Sequence, residues 1–242
     1  MTIKQAFIFA AGRGERMRPI TDSIPKPLVK INGKAIIDYS IEKLSAVKSI
    51  EKIIINGFYL ADEMEKHLKN LNNPKIIFSR EVEKIETGGA LVFAQNKIDL
   101  NAPLLTVNGD VLWLDEANSD IDLLDKTWQK NDCEILLGLK KTKDYFGYES
   151  NENGGDFKLE ENGILSKNPQ QKLTHAFVGM QIINPKILQK APAKSFSMSH
   201  FYKNALDENG ILQGVIGLEL EGKYFHIGTP SAIKETEKLI KF

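Results

Sequence analysis

Two groups of residues in this chain have the types and spacing to do chemistry. The first is Ala10-Ala11-Gly12-Arg13-Gly14-Glu15-Arg16-Met17-Arg18-Pro19, followed closely by Pro25-Lys26-Pro27-Leu28. Gly12 and Gly14 let the backbone turn tightly and expose successive N–H groups. Arg13, Arg16 and Arg18 follow at once, and Lys26 stands between two prolines. Backbone donors with clustered cations suit a polyphosphate, which carries many acceptor oxygens and concentrated charge. The glycines alone fit a strand-to-loop turn with solvated arginines equally well. The second group is Asn108-Gly109-Asp110, which ends the apolar run from Pro103. Ligands of open α/β sheets gather at the C-terminal ends of strands. A carboxylate there would repel a triphosphate unless a divalent cation lay between them. Asp110 is therefore a candidate ligand for magnesium, a hard oxygen-seeking ion, although an Asp in such a turn is by itself more often structural.

The elements that must position these groups are readable from periodicity. Ala6 to Ala10 is apolar throughout, as in a buried central strand. A Walker loop would require Gly-Lys-Ser/Thr, which does not follow Gly14, and a dinucleotide fingerprint would require a glycine at Met17 and an immediate helix. Pro19, Pro25 and Pro27 exclude an ordinary helix. Strand and helix patterns then alternate: helix from about Ala35 to Val47, strand Lys52–Asn56, helix Ala61–Leu71, strand Lys75–Ser79, and a loop feeding a helix that starts near Gly88. The two glycines of Glu86-Thr87-Gly88-Gly89 would leave bare N–H groups at that helix start, suited to a base edge or an anion. Later come a helix near Ile121–Lys130, a strand from Cys133 to Leu139, and a hairpin around Phe157-Lys158-Leu159 bracketed by ENGGD and ENG turns. A strand over Thr174–Ile183 follows, where Gly179 would permit close approach of a ligand. A helix spans about Ser199–Asp207, and a last helix runs from Ile233 to Ile240 with Thr229 as cap and Pro230 at its first position. The expected class is α/β: a mostly parallel, mixed central sheet flanked by helices, with both halves sharing one sheet.

Composition narrows the function. The 242 residues hold 32 Lys plus Arg and 32 Asp plus Glu, a net charge of zero, so no global basic field recruits nucleic acid. One cysteine, Cys133, allows neither an intrachain disulfide framework nor a zinc cluster and reads as packing. His67, His175 and His200 give no functional signal: the first reads as surface, the last as packing. No stretch reaches the roughly 20 apolar residues of a membrane span, and the N-terminus lacks a signal-peptide pattern. The expectation is a cytoplasmic protein with no membrane or nucleic-acid partner.

Taken whole, Ala-Gly-x-Gly-x-Arg-Met-x-Pro with Pro-Lys-Pro-Leu resembles the signature of the sugar-1-phosphate nucleotidyltransferases, and the resemblance extends through nearly the whole chain. In appearance it is nearest the compact N-acetylmuramate-1-phosphate uridylyltransferases and short mannose-1-phosphate guanylyltransferases. The resemblance implies a single Rossmann-like, GT-A-like domain over residues 1–242. About 1–112 would bind the nucleotide, and about 113–242, with a smaller β region, the sugar phosphate. Its substrates would be an NTP and a sugar-1-phosphate. Ala10, Ala11, Gly12, Arg13, Gly14, Glu81, Thr87, Gly88 and Asn108 would line the nucleotide, and Gly155, Asp156 and Gly179 the sugar. Arg16 would neutralise the β/γ-phosphates, Lys26 would bridge the α-phosphate and the incoming sugar phosphate, and Asp110 would hold the metal. The lactyl carboxylate of muramate would need a donor such as Lys167 or Lys172. A monomer or homodimer fits equally.

One departure stands out. Where relatives place a second metal-binding Asp, in Tyr/Trp-x-Asp-x-Gly-Thr, this chain has His226. Imidazole suits manganese, cobalt or zinc better than magnesium. His226 would ligate such a metal, or donate to phosphate while Asp110 holds magnesium, or mark a catalytically silent nucleotide-binding protein. A sugar phosphate is already largely dianionic near neutrality, its second pKa being about 6. Nucleotidyl transfer therefore needs no general base, and the lack of a Ser-His-Asp or Cys-His arrangement does not count against an enzyme.

Overall fold

The computed structural model describes residues 1–149, 152, 154–168 and 170–240. In chain order its elements begin with β1 (Gln5–Phe9), β2 (Lys30–Ile31), β3 (Lys34–Ala35), α1 (Ile36–Ala46), β4 (Lys52–Gly57), α2 (Ala61–Asn70), β5 (Ile76–Arg80), α3 (Thr87–Phe93) and β6 (Leu104–Asn108). They continue with β7 (Val111–Leu114), α4 (Asp120–Lys130), β8 (Ile135–Lys141), β9 (Tyr145–Phe146), β10 (Lys158–Leu159) and β11 (Ile164–Ser166). Then follow β12 (His175–Ile183), α5 (Ser199–Asn204), β13 (Ile211–Glu219), β14 (Lys223–His226) and α6 (Pro230–Leu239).

A nine-stranded sheet of order β10-β11-β13-β8-β12-β6-β1-β4-β5 forms the centre. It is parallel across β6-β1-β4-β5, and β12 runs antiparallel to both β6 and β8. Because strand side chains alternate between faces, β1 feeds two cores: Ala6 and Ile8 join Ile53, Ile55, Ile37, Ile41 and Leu44 on one face, and Phe7 joins Ile54 and Leu91 on the other. Burial on both faces is why β1 and β4 read as unbroken apolar runs. The α/β class is as expected, and both halves of the chain contribute to this sheet.

A second sheet, β7-β14-β9, is decisive for the site. β14 runs antiparallel to β7 with His226 opposite Val111, and Ile227 N–H donates to the Asp110 carbonyl at 3.0 Å. That register carries His226 to the residue after the β6 turn.

Several boundaries differ from the sequence reading. The strand β13 had no counterpart there: Gly214, at φ +70°, and Gly217 interrupt its apolar alternation. Cys133 precedes β8 and is half-buried rather than within a buried strand; burial, with Asp132 and Glu134 nearby, pushes its thiol up to about 11. His67 is half-buried on α2 and meets Asp38 at 2.7 Å. The helix at Ser199 ends at Asn204, and the last helix starts at Pro230, capped by the Thr229 hydroxyl accepting from Ala232 N–H. The ENGGD turn includes Asn153, which lies outside the described residues; the ENG turn joins β10 to β11, as the hairpin pattern predicts.

Candidate active site

The parallel pairing of β1 with β6, Phe9 opposite Asn108, brings the signature loop and the Asn108-Gly109-Asp110 turn to one sheet edge. Gly109 permits this closeness: its N–H donates to the Phe9 carbonyl at 2.9 Å, and a Cβ there would lie 2.7 Å from that oxygen. Two cavities open at this edge. The first, about 240 Å³, is lined by Ala10, Ala11, Gly12, Lys26, Asn56, Glu81, Lys84, Thr87 and others. The second, about 230 Å³, is lined by Arg16, Tyr145, Tyr148, Glu149, Phe177, Gly179 and His226. Asn108 and Asp110 belong to both walls, so the two cavities meet at these side chains.

Asp110 is the electrostatic centre. Lys26 Nζ lies 2.6 Å from its Oδ2, and His226 Nε2 lies 3.6 Å from the same oxygen. Burial pushes the carboxyl up, but His226 and Lys26 more than reverse this and hold it well below the usual carboxylate range. Lys26 is delivered by one tight helical turn, Lys26–Leu28, held by the flanking prolines. His226 stacks beside Tyr145, centroids 6.4 Å apart. Gly228 lies under both Arg16 and His226: a Cβ there would sit 3.1 Å from Arg16 Nη2 and 3.3 Å from His226 Nε2.

The other residues expected at the site divide into three groups. Ala10, Ala11, Gly12, Glu81, Thr87 and Asn108 line the first cavity with Lys26 and Asp110. Arg16 lines the second cavity and not the first, with Nη1 3.2 Å from Glu149 Oε2. Arg13 is exposed, and Gly14, at φ +63°, packs beside the Lys26 and Thr21 side chains; neither lines either cavity. Gly155 is buried against His175, and Asp156 accepts from Phe177 N–H at 3.0 Å, so both stand behind the second cavity's wall rather than in it. Asp156 also meets the Tyr148 hydroxyl, whose phenol burial and that carboxylate push up to about 12.

The reading of the α3 glycines is corrected. Gly88 and Gly89 do not offer bare N–H groups, because both donate to the Phe196 carbonyl, at 2.8 and 3.1 Å. Their missing side chains instead admit the Phe196 ring and the Lys194 carbonyl. Gly179, at φ +80°, lines the second cavity, and its missing side chain also leaves room for Asn108, whose Nδ2 would lie 2.7 Å from a Cβ there. Residues not anticipated are Asn56, Lys84, Tyr145, Tyr148, Glu149 and Phe177. Asn56 was findable, since it sits near the C-terminal end of an apolar strand, where ligands gather. Asn56 Oδ1 accepts from Ala10 N–H at 2.7 Å, and its Nδ2 donates to Glu81 Oε1 at 2.6 Å.

Among the described residues no group of three or more His, Cys, Asp or Glu side chains is arranged to hold a metal. The donor set fits magnesium nonetheless, since that ion is bound through one or two carboxylates and takes its remaining oxygens from phosphates and water. No helix is long and apolar enough to cross a membrane.

A family model described as Nucleotidyl transferase matches residues 5–194. The N-acetylmuramate alpha-1-phosphate uridylyltransferase of Caulobacter vibrioides is 32% identical over 95% of this chain and 93% of its own. The bifunctional protein GlmU of Methanocaldococcus jannaschii is 28% identical over 97% of this chain, which spans about half (54%) of that protein. Among solved structures, HddC from Yersinia pseudotuberculosis complexed with GMP-PN aligns with TM-score 0.72 and 22% identity, over 99% of this chain and 100% of that one. A family match over most of the chain, on this loop and this carboxylate, leads to one assignment: the chain belongs to the nucleotidyl transferase family and is an enzyme of the sugar-1-phosphate nucleotidyltransferase type.

Proposed function

We propose that the enzyme transfers UMP from UTP to N-acetylmuramate-1-phosphate, giving UDP-N-acetylmuramate and pyrophosphate in the cytoplasm, in support of cell-wall recycling. The observation that carries the reaction type is Asp110, flanked by Lys26 and His226 where two cavities meet. The first cavity would take the nucleotide and the second the sugar phosphate, within a single domain whose division falls near residue 112. The choice of acceptor is supported by likeness to the Caulobacter vibrioides protein over nearly the full length of both chains. Guanylyl transfer to mannose- or heptose-1-phosphate is the second reading, favoured by the Drosophila melanogaster mannose-1-phosphate guanylyltransferase catalytic subunit beta, 28% identical over 93% of this chain.

The sugar-1-phosphate oxygen attacks the α-phosphorus in line, a new P–O bond forms, and the bond to the β-phosphate oxygen breaks to release pyrophosphate. The attacking phosphate is already ionised, so the protein's task is to bring two anions together and stabilise charge moving to the leaving group. Lys26 would bridge the α-phosphate and the incoming sugar phosphate. Arg16, on the acceptor side, exchanges Glu149 for the incoming sugar phosphate. Asp110 would hold magnesium, with His226 donating to a phosphate oxygen or serving as a ligand when manganese or cobalt is bound. The metal supplies positive charge at the transferring phosphate.

The test is pyrophosphate release from UTP or GTP with N-acetylmuramate-1-phosphate, mannose-1-phosphate and heptose-1-phosphate, first with magnesium and then with manganese. UTP with the muramate ester should turn over fastest. Faster guanylyl transfer to mannose-1-phosphate would replace this assignment with the second reading. Triphosphate binding without turnover of any pair would sink both.

A further inference from the structure

A histidine at position 226, in place of an aspartate, brings a requirement that a carboxylate lacks: the plane of its ring must be set. An imidazole that meets a metal or a phosphate through one nitrogen is ordinarily oriented by a hydrogen bond to the other. Among the described residues nothing hydrogen-bonds to His226 Nδ1, and Nε2 stands 3.6 Å from Asp110 Oδ2, too far for a strong hydrogen bond. Gly228, beside Nε2, has no side chain with which to hold the ring. What lies along the imidazole is the ring of Tyr145, with centroids 6.4 Å apart and planes 29° from parallel.

Tyr145 is itself held. It is 7% exposed, and β9 runs parallel to β14 with Tyr145 opposite Tyr224 and Phe146 opposite Phe225. Alternation places Tyr145, Tyr224 and His226 on one face of the small sheet, and the Phe146–Phe225 stack, centroids 4.9 Å apart, on the other. The Tyr224 ring meets Tyr145 edge-on at 6.3 Å, and its hydroxyl donates to the buried Asp120 at 2.9 Å. Tyr148 stacks with Tyr145 at 5.7 Å, and its own hydroxyl is tied to Asp156. Asp156 in turn accepts from Phe177 N–H on β12.

We propose that Tyr145 is a positioning residue: fixed by Tyr224 and by the Asp156-anchored ring of Tyr148, it sets the plane of the His226 ring and so aims Nε2 at Asp110. This rests on the place given to His226 beside the transferring phosphate. Asp156, behind the cavity wall, acts on the site two rings away, through Tyr148 and Tyr145. An aspartate at position 226 would have no ring to aim, so the aromatic stack and the histidine belong together.

The test uses Tyr145→Leu, Tyr145→Phe, His226→Asp and the double variant Tyr145→Leu, His226→Asp. In crystals of Tyr145→Leu the His226 ring should turn, carrying Nε2 farther than 3.6 Å from Asp110 Oδ2 or spreading it over two positions. Tyr145→Phe keeps a ring and should keep the wild-type placement. With magnesium, Tyr145→Leu should lower kcat about 2–10-fold, the range that a stacked ring pair is worth, and Tyr145→Phe should recover most of that loss. In the His226→Asp background the same Tyr145→Leu change should cost less than about twofold. Equal losses in the two backgrounds would make Tyr145 a substrate contact or plain packing and overturn the proposal. An unmoved His226 ring in Tyr145→Leu would overturn it too. If Tyr145→Leu does not fold, Tyr148→Leu removes the outer support instead and is judged by the same two measurements. If the wild type turns over no pair of triphosphate and sugar phosphate, the proposed function falls, and the crystal structures alone decide the positioning.

Discussion

Replacing Lys26 by methionine separates its structural from its catalytic contribution. Methionine keeps the aliphatic stem packed beside Gly14 and removes the charge 2.6 Å from Asp110 Oδ2. Two unit charges at that distance interact by about 6 kcal/mol at an effective dielectric of about 20. Desolvation offsets most of that, since only 12% of the Lys26 side chain and 27% of the Asp110 side chain are exposed. Loss of the lysine should leave Asp110 with His226 alone and destabilise the fold by about 2 kcal/mol, less than the ~3–5 kcal/mol of a fully buried pair. For a chain of this length that is a fall in Tm of roughly 4–8 °C. Turnover should drop further, by about 10²–10³-fold, because the same charge stabilises the transferring phosphate. The double variant Lys26→Met, Asp110→Asn should recover most of the stability, with a coupling of about 1–3 kcal/mol, and none of the activity. Thermal unfolding and pyrophosphate release are the two assays. Turnover within tenfold of wild type would reduce Lys26 to an ion-pair partner, and a double variant no more stable than the single one would show that the pair was not the source of the loss.

His226→Asp should raise magnesium-supported turnover and lower the ratio of manganese- to magnesium-supported rates, checked by metal titration; a ratio that does not move removes His226 from the metal's surroundings. Burial pushes the Glu81 carboxyl up to about 7 from 4.5, with Asn56 pulling it back. Its contribution to stability is therefore fully present below about pH 4.5 and lost as pH rises through 7, where the folded state holds more protons than the unfolded. UTP binding near pH 7 should release more protons from wild type than from Glu81→Gln, measured in buffers of different ionisation enthalpy; the other charged groups of that cavity, Lys26, Lys84, Glu86 and Asp110, are common to both proteins. Gly88→Ala forces the Phe196 ring aside and should cost about 1–3 kcal/mol in chemical denaturation, raising KM for the triphosphate more than it lowers kcat.

The parts of the molecule legible in the sequence are those governed by local rules. Ile37, Ile41 and Leu44 mark the buried face of α1 by spacing alone, and the prolines around Lys26 forbid anything but a short turn. Asp110 could be placed because one rule about strand ends covers it. What was not legible depends on pairing between distant segments. Asn56 and Glu81 meet across β4 and β5, and nothing in either segment announces the other. The glycines of α3 looked like ligand contacts because a glycine's spare volume is the same in sequence whether a phosphate or a phenylalanine fills it; only the course of residues 194–196 decides. Arg16 was expected beside the triphosphate, yet the turn over Glu15–Met17 directs it toward Glu149.

The register of β14 on β7 has a consequence for how the enzyme comes into being. Asp110 is made early and His226 late, and their approach depends on a strand that pairs with both β7 and β9. A nascent chain that has completed β7 already carries the loop, the lysine and the aspartate, but half of its reaction chamber does not yet exist. Competence therefore arrives in one step, when β14 docks. Until then a partly synthesised chain has Lys26 and Asp110 in hand but lacks the second cavity's wall of Tyr145, Tyr148 and His226.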